Sequence, residues 1–101
     1  MKTSDHTFPV LTLDEYAEAN RLTFEVFERA SSASHLPRFY VHFKDVKIER
    51  GFGYVWASGN ADTVEDAKVD YAGIISRRRL FVDYGGGALR KLPVAAILAA
   101  R

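Results

Sequence analysis

Three consecutive arginines, Arg77-Arg78-Arg79, are the sharpest chemical feature of the chain, and Arg90 and Lys91 follow a short way on. A guanidinium presents a rigid fork of donors to carboxylate or phosphate oxygens. These five bases are therefore a candidate anion site, facing either an acidic protein surface or a phosphate backbone. The competing account is simpler: arginines at a helix end complement its dipole and keep the surface soluble. No other group of residues points to a reaction. His6, His35 and His42 stand apart and show no metal-ligand spacing. Ser31, Ser32 and Ser34 lack the strand-to-helix context of a nucleophile elbow. The chain has no cysteine, which removes disulfides, thiolate metal sites and a cysteine nucleophile. Gly85-Gly86-Gly87 is followed by Ala88-Leu89 instead of the Lys-Ser/Thr of a phosphate loop, so it reads as a turn. The expectation is a protein that is not an enzyme and that uses neither metal nor cofactor.

A second candidate surface is aromatic. Phe39, Tyr40, Phe43, Phe52, Tyr54 and Trp56 crowd into one stretch. Strand alternation sends Phe39, Val41 and Phe43 to one face and Tyr40 and His42 to the other. With the first face in the core, Tyr40, Tyr54 and Trp56 become a candidate interface. Aromatic residues and arginine are the types that dominate protein interfaces.

The elements that must position these residues follow from period and punctuation. Residues 1–11 lack periodicity and read as a loose N-terminal arm. Thr12 and Glu15 form a capping box, and Leu13, Tyr16, Ala19, Phe27 and Ala30 fall broadly on one side of a helix over 13–30. A rival pattern is present, because Leu22, Phe24 and Val26 alternate with Thr23 and Glu25 as a half-buried strand would. After the serine loop and Pro37 the period becomes two. Phe39 through Ile48 reads as one long strand with an irregularity at Lys44-Asp45. Arg50-Gly51-Phe52-Gly53 turns it back into Tyr54–Ala57. Thr63 caps the next helix, whose Val64, Ala67, Tyr71, Ile74 and Ile75 share a face, with the three arginines closing it. Leu80-Phe81-Val82 and Tyr84 form a strand, the glycines a turn, and 88–92 a short edge strand. Pro93 opens a terminal helix over 94–100. That segment is apolar nearly all round, so it is expected either in the core or against a second copy, as a homodimer contact. The order α-β-β-α-β-β-α specifies a single α+β domain over 1–101, with an antiparallel sheet carrying helices on one face.

Composition narrows the partners. The formal net charge is +1 with a pI near 8.0, but the charge is unevenly spread. Residues 1–30 carry three bases against six acids, and residues 68–101 carry seven bases against two. Dedicated nucleic-acid domains usually have a pI above about 9, so an acidic protein partner is the stronger expectation and nucleic acid the weaker. No apolar run follows Met1-Lys2-Thr3-Ser4-Asp5, and none approaches the ~20 residues of a membrane span. A cytoplasmic protein without a membrane partner is expected.

The stretch Gly59-Asn60-Ala61-Asp62-Thr63-Val64-Glu65-Asp66-Ala67, with Asp70-Tyr71-Ala72-Gly73-Ile74-Ile75-Ser76 and Leu80-Phe81-Val82, carries a resemblance. It is similar to the HicB-type antitoxin fold, where a hairpin leads into a helix opening Thr-x-Glu-Glu-Ala. It resembles more fully a set of small phage and prophage proteins with a Gly-Asn strand end, that helix opening, Asp-Tyr-Ala, Ile-Ser and a Leu-Val-Phe strand. The match covers about residues 38–93. The Leu-Pro-Gly-Cys stretch of the antitoxins is missing, as is a DNA-binding segment after the fold. Small, cysteine-free phage proteins without catalytic residues are often inhibitors of host machinery, anti-CRISPR proteins among them. The resemblance thus implies a phage-encoded, non-enzymatic inhibitor of a host protein complex, such as a CRISPR-Cas effector, with a nucleic-acid-binding or HicB-like antitoxin module as the alternative.

Overall fold

A computed structural model describes residues 8–30 and 35–101; His6, Ser31, Ser32 and Ser34 lie outside them. The chain is α+β. It begins with β1 (Val10–Thr12) and α1 (Leu13–Asn20), followed by β2 (Phe24–Glu28), β3 (Phe39–Phe43), β4 (Val46–Arg50), β5 (Gly53–Trp56) and β6 (Gly59–Ala61). Helix α2 (Val64–Ile75) then leads to β7 (Leu80–Asp83), β8 (Leu89–Lys91) and β9 (Ala96–Leu98). The strands form an antiparallel sheet β2-β3-β6, a second antiparallel sheet β5-β4-β7-β8, and a parallel pair β1-β9. One apolar cluster unites them, drawing Tyr16 from α1, Phe43 and Ile48 from the two sheets, Tyr71 and Ile75 from α2, and Ile97 from β9. No helix among the described residues is long and apolar enough to cross a membrane.

The caps form where local chemistry demands them. Thr12 Oγ1 accepts the Glu15 N–H at 3.1 Å, and Glu15 Oε1 accepts the Thr12 N–H at 2.9 Å, closing the capping box. Thr63 Oγ1 accepts the Asp66 N–H at 3.1 Å and starts α2. The face of α2 is the expected one, with Ala67, Tyr71 and Ile75 buried.

Several readings of the sequence are corrected. The loose arm expected over 1–11 gives way to strand at Val10, where β1 pairs with β9, and in place of one antiparallel sheet in the order α-β-β-α-β-β-α there are two such sheets and a parallel pair. The helix expected over 13–30 stops at Asn20, where Arg21 turns left-handed (φ 58°) and the Ala17 carbonyl accepts the Arg21 and Leu22 N–H groups. The rival strand pattern wins beyond it, because β2 pairs with β3 along its whole length and places Phe24 edge-on against Phe43, ring centroids 5.6 Å apart. The irregularity at Lys44-Asp45 is a full break. Asp45 takes φ 62°, and the chain leaves one sheet for the other. Helix α2 ends at Ile75 with Ser76 as its cap, so Arg77-Arg78-Arg79 form the connection to β7 and do not close the helix. The terminal helix over 94–100 is instead β9. A helix of that length is marginal by itself, whereas the strand finds partners. Ala96 N–H donates to the Pro9 carbonyl at 2.8 Å, and Ile97 N–H donates to Ser76 Oγ at 2.8 Å. Ala95, Ala96 and Ile97 are buried there, so this part of the apolar run lies in the core, while Leu98 stays exposed.

Strand β6 approaches α2 so closely that only glycine fits at position 59. A Cβ there would lie 2.2 Å from the Ala67 carbonyl oxygen and 2.4 Å from the Tyr71 nitrogen, both backbone atoms. Gly59→Ala is expected to destabilise the fold by about 2–4 kcal/mol. A denaturant midpoint unchanged within error would contradict this contact.

Tyr16 and Tyr71 are fully enclosed. Tyr16 OH donates to the Pro93 carbonyl at 2.7 Å, and Tyr71 OH accepts the Phe43 N–H at 3.0 Å. Burial, the leading cause, pushes both phenols up to about 12 from 10.0. The folded state then holds these protons more tightly than the unfolded chain. Their contribution is fully present below pH ~10 and falls as pH rises toward ~12, by up to about 3 kcal/mol per tyrosine. Urea titrations across this window should show the midpoint falling in step with tyrosinate absorbance. A flat midpoint with ionised tyrosines would show that these rings are not enclosed.

Candidate functional site

The outer faces of the two antiparallel sheets carry the exposed aromatic residues. Val41 and Phe43 point into the core, so the alternation of β3 turns Tyr40 and His42 outward. Pairing with β2 sets Phe27 opposite Tyr40 and Glu25 opposite His42. The rings stack, with Phe27 4.9 Å from Tyr40 and 5.3 Å from His42 between centroids. The Arg29 guanidinium lies 4.6 Å from the Tyr40 ring centre and is held by the Pro37 carbonyl and Asn60 Oδ1, each at 2.7 Å. The guanidinium and the ring thus hold each other in place.

Trp56 connects this face to the second sheet. It is 60 % exposed and borders two adjoining clefts. Tyr40, His42 and Ser58 complete one of about 270 Å³. Glu25, His42 and Asp45 help to line the other, of about 210 Å³. The register of β4 and β5 sets Trp56 opposite Lys47 and Tyr54 opposite Glu49. Lys47 Nζ sits 4.5 Å from the Trp56 ring centre and 2.8 Å from Asp83 Oδ2. The Lys47 ammonium, with the Gly85 N–H, holds the Asp83 carboxyl below its usual range. Tyr54 meets Phe81 edge-on at 4.8 Å.

Strand β5 lies at the edge of its sheet and carries no charged residue. Its hairpin turns at Gly51-Phe52, with Gly51 at φ 61° as the first central residue of a type II′ turn requires. Phe52 therefore stands fully exposed at the tip. Gly-Tyr-Val-Trp beside an exposed Phe is the kind of edge that pairs with another chain.

The basic residues anticipated from the sequence are divided among different places. Arg77 (φ 60°) donates its main-chain N–H to the Ala95 carbonyl at 2.7 Å and exposes its side chain. Arg79 Nη1 lies 3.5 Å from Glu49 Oε1, and Arg78 Nη2 lies 3.5 Å from the Glu49 carbonyl oxygen. Lys91 stands opposite Phe81 on the outer face. Arg90 points the other way, from opposite Val82, and lines a separate cleft with Arg21 and Lys44. Arg90 therefore does not join the arginine run, while Tyr40 and Trp56 do meet across one cleft. Phe27 and Lys47 escape a reading of the sequence that takes 13–30 as helix and weighs clusters only along the chain. The alternation from Leu22 to Val26 is the signal that would have placed Phe27 on the outer face.

No family model matches the chain, and neither a curated protein nor a solved structure is significantly similar to it. The geometry of this surface is therefore the basis for a functional reading. Phe52→Ser and Trp56→Ser should each change folding stability by less than about 1 kcal/mol, because the exposed rings lose little on truncation. Thermal denaturation of the purified variants measures this, and a large loss would make these rings structural.

Proposed function

We propose that the chain is a non-enzymatic, phage-encoded protein that binds a host protein complex in the cytoplasm and inhibits it, with a CRISPR-Cas effector as the target class implied by the resemblance. The observation that supports binding is the uncharged edge strand β5, which exposes Tyr54, Val55 and Trp56 beside Phe52 at the hairpin tip. A strand added to that edge gains main-chain hydrogen bonds, and its side chains meet the rings. Aromatic anchors at the centre of such a contact carry most of its energy. The exposed bases Arg77, Arg79 and Lys91 favour a partner with acidic residues at the rim, where charge steers encounter.

A second reading is nucleic-acid binding. The adjacent bases Arg77, Arg78 and Arg79, the first and last of them exposed, favour it, since lysine and arginine contacts with phosphates supply most of such binding.

A single experiment separates the two readings. Tagged wild-type protein, incubated with host lysate, is expected to return a stoichiometric protein complex that survives nuclease treatment and is lost with the Phe52→Ser/Trp56→Ser double variant. Repeated recovery of the chain alone would overturn the protein-docking reading. A salt-sensitive complex with RNA or DNA that nuclease removes, and that Glu at positions 77, 78 and 79 abolishes, would establish the second reading in its place.

A further inference from the structure

Beyond the Lys44-Asp45 turn, away from Trp56, a cleft of about 190 Å³ opens between the end of α1, the start of β2 and the facing ends of β7 and β8. Arg21, Lys44 and Arg90 line it with Thr23, Tyr84 and Asp45. Three cations from distant parts of the chain thus face one carboxylate. Among the described residues, none of the three is engaged in a salt bridge. Arg90 is half-buried and oriented: Nε donates to the Tyr84 hydroxyl at 2.7 Å and Nη2 to the Asn20 carbonyl at 2.8 Å. The second bond also satisfies a carbonyl at the C-terminal end of α1 and sets a positive charge against the negative end of its dipole. A guanidinium has five N–H groups, so Arg90 keeps donors to spare. The Tyr84 hydroxyl, already an acceptor, keeps its own proton to donate. A concave surface with an excess of one charge concentrates counter-ions.

We infer that this cleft binds a phosphate-type oxyanion, free or as a monoester, with Arg90 as the pre-oriented donor and Arg21 and Lys44 closing over it. The inference goes beyond the docking surface and does not depend on it. The charge balance supports it, as do the fixed guanidinium and the further donors that line the cleft: Tyr84, Thr23, Arg21 and Lys44.

NMR titration of the full chain with inorganic phosphate, against sodium chloride at matched ionic strength, tests it. Saturable shifts are expected at the amides of residues 21–23, 44–45 and 84 and at the Arg90 Nε–H, with phosphate only. Arg21→Gly is the informative variant. Position 21 has a φ of 58°, which glycine adopts without strain, so the fold should be kept or stabilised. Phosphate affinity should nevertheless fall about tenfold, as for loss of one charge-assisted contact. Lys44→Gln should act in the same direction and leaves the Arg90 bonds intact. Unchanged affinity in both variants overturns the proposal, as do shifts reproduced by chloride or centred on Arg77–Arg79 and Lys91. A parallel titration with a nucleoside monophosphate distinguishes the sources: equal affinity assigns the free anion, and tighter binding assigns the ester.

Discussion

The close approach of β6 to α2 at Gly59 is the constraint on which the remaining geometry depends. Because no Cβ intervenes, the strand lies against the helix backbone at Ala67 and Tyr71. The next residue strengthens the joint: the Asn60 N–H donates to the Asp70 carboxylate at 2.8 Å. Tyr71 then reaches across the core, and its hydroxyl accepts the N–H of Phe43, the last residue of β3. Helix, strand and sheet are thereby fixed relative to one another through three adjacent contacts. The Gly-Asn and Asp-Tyr-Ala elements of the sequence are two sides of this one joint. Packing accounts for both elements.

From that joint the two-sheet arrangement follows. Phe43 packs with Tyr16, Phe24 and Tyr71, and the chain must leave the core immediately after it. Lys44-Asp45 makes the exit, with Asp45 in a left-handed conformation that aspartate tolerates better than most residues. Strand β4 therefore enters a different sheet from β3, although the two look like one strand in sequence. The turn separates the two surfaces of interest. On one side Trp56 faces Tyr40 and His42, and on the other Lys44 joins Arg21 and Arg90. Asp45 borders clefts on both sides.

Burial and exposure are coupled along each strand. Every residue that β3 and β4 commit to the core forces its neighbour outward. Tyr40, His42, Lys47 and Glu49 are outside because Val41, Phe43, Val46 and Ile48 are inside. Lys47 compensates for the exposure of Trp56 by lying on its ring while pairing with Asp83, so aromatic and ionic contacts share one cation. Strand β5 has no such cover at its free edge, and the hairpin tip places Phe52 entirely in solvent. Burial within the chain gives no account of these residues.

Local chemistry is legible in the sequence, and nonlocal pairing is not. The capping box at Thr12, the Thr63 cap, the apolar face of α2, the turn at Gly51 and the glycine turn at 85–87 all depend on residues a few positions apart. Each could be read from the chain, as could the α+β class. The end of α1 could not, since Phe24 and Val26 suit helix or strand and only pairing with β3 decides. Nor could residues 94–100 be assigned, because an apolar run takes the form its neighbours leave open, here a strand beside β1. The surfaces were decided in the same way. The sequence by itself determined which residues are aromatic and which are basic, and that the arginines at 77–79 are adjacent. Tertiary structure alone decided that Tyr40 meets Trp56, and that Arg90 turns from Lys91 toward Arg21 and Lys44. The physical reason is that strand alternation sends neighbours to opposite faces, while long-range pairing brings distant residues onto the same one.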